Sequence, residues 1–216
     1  MKRALLVAGG SIDPAFGAAY MKGAHFDLLV AIDGGLRFFY DSGIAPDWIV
    51  GDFDSAEETA LRFFEAKEDI SWMRLIPEKD DTDTEAALRR AIDCGCEEIH
   101  ILGATGSRLD HVFGNIALLG IGLLAGVEIL LADPKNRIRM IDHSLRLTKQ
   151  EQYGSYVSLL PFTSSVTGVT LKGMKYPLTD VVMTCCSSLG ISNEIVEEEA
   201  EISCKEGRLL VFETKD

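Results

Sequence analysis

Residues 48–55 read Trp48-Ile49-Val50-Gly51-Asp52-Phe53-Asp54-Ser55, a short apolar run that ends on a glycine and two carboxylates. How this stretch leaves its strand decides the fold, because acids placed just beyond a buried β-run mark the carboxyl end of a parallel sheet, where ligands collect. If the chain stays extended, Asp52 and Asp54 point to one side about 6.6 Å apart, and Phe53 turns into the core. Such a pair suits a metal ion. The competing reading makes Asp54 or Ser55 the cap of the next helix.

Outward from this stretch, short β-rich runs alternate with helical patterns up to about residue 134, which predicts a parallel sheet flanked by helices. The expected strands are Arg3 to Ala8, Asp27 to Ile32, Trp48 to Val50, Ser71 to Leu75, Glu98 to Leu102 and Val127 to Leu131. Helices are expected over Pro14 to Lys22, Gly34 to Asp41, Ala56 to Glu68, Thr84 to Cys94 and Leu109 to Leu124, with Gly43 and Gly95 at helix stops. Thr82-Asp83-Thr84-Glu85 has the pattern of a capping box. After Asp133-Pro134 the pattern changes to short β-rich runs separated by Gly, Pro, Ser, Thr or Asn clusters, so residues 135–216 are expected to form a smaller all-β domain.

Each of the first five strands runs into glycine, carboxylate or both: Gly9-Gly10-Ser11, Asp33-Gly34-Gly35, Gly51-Asp52-Phe53-Asp54, Lys79-Asp80-Asp81-Thr82-Asp83, and Gly103-Ala104-Thr105-Gly106-Ser107-Arg108-Leu109-Asp110-His111. Together they describe one rim with close backbone approach and many acids. Two like charges 4 Å apart repel by about 4 kcal/mol at an effective dielectric near 20, so such a rim calls for cations. Magnesium fits best, being a hard ion that takes carboxylates together with substrate phosphates; calcium is the alternative, although no stretch has EF-hand spacing. The loop from Gly103 to Gly106 precedes a helix whose free amides would favour phosphate. It matches neither a Walker A loop nor the dinucleotide fingerprint. Arg108 offers a cationic fork for phosphate oxygens or an ordinary surface ion pair. Asp110 and His111 could position or deprotonate a hydroxyl or simply serve the first helical turn, and Lys79 could touch phosphate or offset Asp80.

Composition narrows the partners. With 34 acidic against 21 basic residues the net charge is -13, which argues against nucleic acid. The longest apolar run, Ile116 to Val127, is too short to span a bilayer, and no signal peptide is indicated after Met1-Lys2-Arg3. The five cysteines form no C-x-x-C pair and the four histidines show no zinc-ligand spacing with them, so reduced thiols in the cytoplasm are expected.

The motifs Asp33-Gly34-Gly35, Pro46-Asp47, Gly51-Asp52-Phe53-Asp54-Ser55, Lys79-Asp80-x-Thr82-Asp83, Gly103-Ala104-Thr105-Gly106-x-Arg108-x-Asp110-His111 and Ser192-Asn193-Glu194 resemble, in order and spacing, those of bacterial thiamine pyrophosphokinases. The resemblance covers about residues 30 to 194. It implies transfer of the intact diphosphate of ATP to the hydroxyl of thiamine, giving thiamine diphosphate and AMP. It also implies an ATP- and magnesium-binding α/β domain over 1–134, a thiamine-binding and dimerising β-sandwich over 135–216, and a homodimer with the thiamine site near the subunit interface. By position, Asp52, Asp54 and Asp83 would bind magnesium, and Asp54, Asp83, Arg108, Asp110 and His111 would form the reaction centre. Gly9, Asp33, Gly34, Lys79, Gly103, Thr105, Gly106 and Arg108 would face ATP, while Ser192 and Asn193 would contact thiamine. The aromatic ring that stacks on thiamine in some members is not identifiable, since Trp48 and Trp72 both fall in the α/β half. The rival readings are a pyrophosphokinase for another alcohol such as a pterin, a metal-dependent glycosyltransferase, and a non-catalytic nucleotide or thiamine sensor.

Overall fold

A computed structural model describes residues 1–54, 57–76 and 81–216. Ser55 and Lys79 lie outside the described residues. The chain divides into two compact units, Met1–Pro134 and Lys135–Asp216.

In the first unit the elements run β1 (Arg3–Val7), α1 (Pro14–Gly23), β2 (Leu28–Ile32), α2 (Leu36–Ser42), β3 (Trp48–Gly51), α3 (Glu58–Glu65), β4 (Ser71–Arg74), α4 (Asp83–Asp93), β5 (Glu98–Leu102), α5 (Leu109–Ala125) and β6 (Glu128–Ala132). The strands pair in parallel in the order β4-β3-β2-β1-β5-β6. Successive connections first step outward from β1 and then return to its other side, so the order reverses between β1 and β5. A crevice must open there, because the loops leaving these two strands turn to opposite faces. The central strands are buried on both faces: Ala4 to Val7 are fully buried, which explains why that run is apolar rather than alternating, and β5 buries Glu98 and His100 along with Ile99, Ile101 and Leu102.

Local chemistry sets the helix boundaries. Asp13 accepts from Phe16 N at 2.7 Å ahead of Pro14, and Thr82 accepts from Glu85 N at 3.2 Å, each satisfying an amide that the helix leaves free. Gly43 ends α2 at φ 68°, a left-handed cap that costs a glycine little. The expected start of α2 at Gly34 gives way to a tight 3-10 turn over Asp33–Gly35, entered with Asp33 at φ 45°. α3 stops at Glu65, short of the expected Glu68, where Lys67 N turns back to Phe64 O. Among the described residues no helix is long and apolar enough to cross a membrane.

The second unit contains β7 (Asn136–Ile141), β8 (Ser144–Thr148), β9 (Tyr156–Pro161), β10 (Ser165–Lys172), β11 (Leu178–Thr184), β12 (Glu199–Ser203) and β13 (Leu209–Thr214). β7, β13 and β9 pair antiparallel in that order, as do β11, β10, β12 and β8. Several strands alternate buried and more exposed positions, as Tyr156–Pro161 does. One core joins the inward residues of the two sheets, among them Val157, Leu159 and Val211 from the first and Val169, Ile202 and Met183 from the second. This is a sandwich.

Candidate active site at the head of the parallel sheet

Backbone rather than side chains builds the floor of the crevice at the heads of β1 and β5. Gly10 N donates to Gly103 O at 2.9 Å and Ser11 N to Thr105 O at 2.8 Å, zipping the two loops together beyond the strands. A Cβ on Gly10 would stand 2.3 Å from Gly103 O, so only glycine permits this approach. Asn115, on α5, ties the same loop from the other side by donating from Nδ2 to Ala104 O at 2.8 Å.

A cavity of about 1040 Å³ opens over these loops. Its wall includes Gly9, Gly103, Thr105 and Gly106 from the glycine-rich exits, and Asp33, Asp52 and Asp83 from the acidic ones. Arg108, Asp110 and His111, at the start of α5, complete it. Gly34 is not on this wall; it lines a neighbouring groove between α1 and α2 and meets Gly9, whose added Cβ would lie 3.2 Å from Gly34 Cα.

Among the described residues, the carboxylates of Asp33, Asp52 and Asp54 group with their ligand oxygens all within 4.8 Å of one another. This differs from the trio expected from sequence. Asp33 replaces Asp83, which lines the cavity from the first turn of α4 but is outside the group. The way Asp52 and Asp54 meet also differs. β3 ends at Gly51, and Phe53 adopts φ 64°; Asp54 N then folds back to Asp52 Oδ1 at 3.2 Å. Left-handed backbone is unfavourable for a bulky residue. Here it is held by burial of the Phe53 ring, 5.4 Å from Trp72 in an edge contact, with Arg74 5.3 Å from its centroid. Three carboxylate oxygens converging from two strand exits form a hard donor set, and they fit magnesium better than any softer ion.

Arg108 pairs with Asp110, at 2.7 Å from Nη2 to Oδ2 and 3.3 Å from Nε to Oδ1. The guanidinium, helped by the His111 amide, holds the Asp110 carboxyl down at about 2, and Asp110 in turn raises the Arg108 value. Both side chains stay largely exposed. His111 is exposed beside them.

In the second unit, Ser192 stands at φ 56° and its amide donates to Ser158 Oγ at 2.9 Å. Asn193 is 2% exposed. Its side chain is engaged within the unit: Nδ2 donates to Tyr176 O at 2.8 Å, and Oδ1 accepts from Tyr176 N at 3.0 Å and Glu194 N at 2.9 Å. Asn193, expected to contact thiamine, thus grips the backbone of Tyr176, a residue that is 58% exposed. Sequence reasoning had passed over Tyr176 and Asn115. An aromatic beside Pro177 and a polar residue ahead of the apolar run of α5 were the signals available.

Residues 22–130 match the family described as thiamin pyrophosphokinase, catalytic domain, and residues 142–209 match its vitamin B1 binding domain. The chain belongs to the thiamine pyrophosphokinase family. A thiamine pyrophosphokinase of Bacillus subtilis (strain 168) is 35% identical over 189 residues, covering 88% of this chain and 88% of the relative. The crystal structure of thiamine pyrophosphokinase from Bacillus subtilis aligns over 100% of both chains with a TM-score of 0.88 and 33% identity. That of a thiamin pyrophosphokinase family protein from Enterococcus faecalis also aligns over 100% of both, with a TM-score of 0.83 and 33% identity. Family membership thus spans both units, and the acids that line the crevice, Asp33, Asp52 and Asp83, fall within the residues that match the thiamine pyrophosphokinase catalytic domain.

Proposed function

We propose that the chain transfers the diphosphate of ATP to the hydroxyl of thiamine, releasing AMP, and that the cavity over β1 and β5 binds the nucleotide. The hydroxyl oxygen bonds to the β-phosphorus, the bond from that phosphorus to the α-phosphate oxygen breaks, and AMP leaves. The observation that carries this reading is the convergence of Asp33, Asp52 and Asp54 beside the glycine-rich loops of the crevice, in a chain whose two units match the two domains of the family.

Asp33, Asp52 and Asp54 would hold magnesium, with Asp83, which lines the same cavity, as a further acid of the site. Bound there, the ion would supply positive charge that offsets the charge developing in transfer. The amides of Gly9, Gly103, Thr105 and Gly106 would cradle phosphate, Gly34 supporting Gly9 from behind. Lys79, outside the described residues, would contact phosphate as the resemblance implies. Arg108 would exchange Asp110 for a phosphate oxygen as substrate enters, and the freed Asp110 with His111 would orient the acceptor hydroxyl. Ser192 and the ring of Tyr176, gripped by Asn193, would meet thiamine, a flat cation suited to an aromatic face. A cytoplasmic homodimer is part of this reading, supported by exposed Leu109, Phe113 and Leu124 on α5.

Incubation with ATP, magnesium and thiamine tests the proposal. AMP and thiamine diphosphate in equal amounts are expected. ADP would indicate single phosphoryl transfer, and absence of turnover would leave a binding protein.

A further inference from the structure

Along β11 neighbouring side chains leave on opposite faces, and the strand ends just before two cysteines. Thr184 O accepts from Ser187 N at 3.1 Å, closing a turn over Cys185 and Cys186. In that turn the two thiols come to one side, with sulfurs 3.8 Å apart. Both are exposed, whereas Cys96 is buried and Cys94 and Cys204 are half-buried. Cys204 is further engaged, its thiol donating to His143 O at 3.6 Å. The pair is therefore the thiol surface open to reagents, and its two sulfurs are near enough to act on one another.

We propose that Cys185 and Cys186 form a dithiol site that exchanges reversibly with small-molecule disulfides, closing to a bridge that alters the acceptor segment ending at Ser192. One thiolate attacks the small disulfide, forming a mixed disulfide and releasing one small thiol. The neighbouring thiolate then attacks the protein sulfur of that mixed disulfide and releases the second. The protein loses two protons and two electrons, and the small disulfide takes up both. Ionisation is sequential, since the hydrogen bond to Cys186 raises the Cys185 value. Adjacent Cα atoms stand about 3.8 Å apart, below the roughly 4.4 to 6.8 Å of ordinary disulfides. The bridge is accordingly strained and easily reduced, as labile disulfides are.

The link to the acceptor segment lies in how little chain separates the two. Cys185 N is pinned to Ser164 O at 3.1 Å, Gly190 O to Leu159 N at 2.9 Å, and Ser192 N to Ser158 Oγ at 2.9 Å. A change of backbone torsion at residues 185 and 186 has only the turn at 187–191 in which to dissipate. This second step rests on the proposed role of Ser192 in binding thiamine.

The test treats the reduced full-length chain with oxidised glutathione, traps free thiols, and follows the peptide containing residues 185 and 186 by mass. Loss of two hydrogens, reversed by dithiothreitol, is expected. Cys185→Ser and Cys186→Ser should each carry a single glutathione instead. Stable glutathione on both thiols of the unsubstituted chain, or no reaction in any of the three proteins, overturns the site. Kinetics address the second step: the bridged protein should show a thiamine KM raised severalfold with the ATP KM unchanged. A bridge that forms without moving the thiamine KM overturns the coupling. A reduced protein that makes no thiamine diphosphate counts against the proposed function, while the mass readout still decides the dithiol.

Discussion

Asn193 clasps Tyr176 by both of its backbone groups, donating to the carbonyl at 2.8 Å and accepting from the amide at 3.0 Å. The clasp joins the residue beside Ser192 to an aromatic ring 17 positions earlier, and it leaves that ring exposed. Tyr176→Ala should raise the thiamine KM about tenfold, a loss of about 1.4 kcal/mol of the kind a stacked ring supplies, with the ATP KM unchanged. Asn193→Ala should raise the thiamine KM as well. It should also lower stability by about 1 to 3 kcal/mol, because the partners of a buried amide are left unmet. Steady-state kinetics with denaturant unfolding separate the two effects: an unaltered KM in both variants would remove Tyr176 from the acceptor site.

The acid group makes a second prediction. Asp33, Asp52 and Asp54 have ligand oxygens within 4.8 Å of one another, so a divalent cation that binds there should stabilise the folded chain by mass action. Magnesium should raise the melting temperature of the unsubstituted protein. Asp54→Asn should fold normally, lose most of that rise, and turn over about a hundredfold more slowly, equivalent to about 2.7 kcal/mol at the transition state. Full magnesium-dependent stabilisation and AMP formation in Asp54→Asn would dismiss the assignment.

The contrast between Asp52 and Asp33 shows what was legible in the sequence. A strand exit that carries acids is visible in one dimension, and the β-runs, the Thr82 cap and the Gly43 stop follow from local periodicity and capping chemistry. Which acids share a site depends instead on neighbouring strands. β2 and β3 pair with Ile32 beside Val50, and this register brings Asp33 alongside the pair beyond Gly51. The left-handed turn at Phe53 was hidden for a similar reason, since its partners Trp72 and Arg74 come from β4. Likewise, nothing local to Asn193 points to Tyr176.

Arg108 and Asp110 predict a pH response. With Asp110 held at about 2 by the guanidinium, its carboxylate stays charged throughout the working range and is neutralised only in stronger acid. Arg108→Ala removes that cause, and Asp110 should return toward about 4, the ordinary aspartate range. A profile of kcat/KM for thiamine that is flat in the parent between about pH 4 and 5 should then fall on the acid side in the variant. Identical acid limbs in the two proteins would show that Asp110 takes no part.

His100 should make stability pH-dependent without touching the cavity. Its Nε2 meets Glu98 Oε1 at 2.7 Å and its Nδ1 the Tyr20 hydroxyl at 2.9 Å, with Phe26 packed at 5.2 Å and Arg3 on the far oxygen of Glu98. Burial lowers the His100 value despite the opposing pull of Glu98. The unfolded chain takes up this proton near pH 6.5 and the folded chain only at lower pH. The contribution is therefore whole above about 6.5 and is lost as pH falls toward the folded value. Urea midpoints between pH 7.5 and 5.5 should decline less steeply in His100→Gln than in the parent. Equal slopes would assign the decline to other groups.

Gly10→Ala tests whether the crevice itself is the nucleotide site. The added methyl would stand 2.3 Å from Gly103 O and 2.6 Å from Thr105 O, and neither carbonyl can swing aside as a side chain would. The two loops must part, breaking the bonds from Gly10 N to Gly103 O and from Ser11 N to Thr105 O. Each lost bond costs about 1 kcal/mol, so the variant should be destabilised by roughly 2 kcal/mol yet remain folded, since the strands below are untouched. Spreading the loops also moves the amides that would cradle phosphate. The ATP KM should rise more than tenfold, and more than the thiamine KM, because Ser192 and Tyr176, proposed to meet thiamine, belong to the other unit. A variant that loses stability while keeping the parent ATP KM would place the phosphates away from these loops.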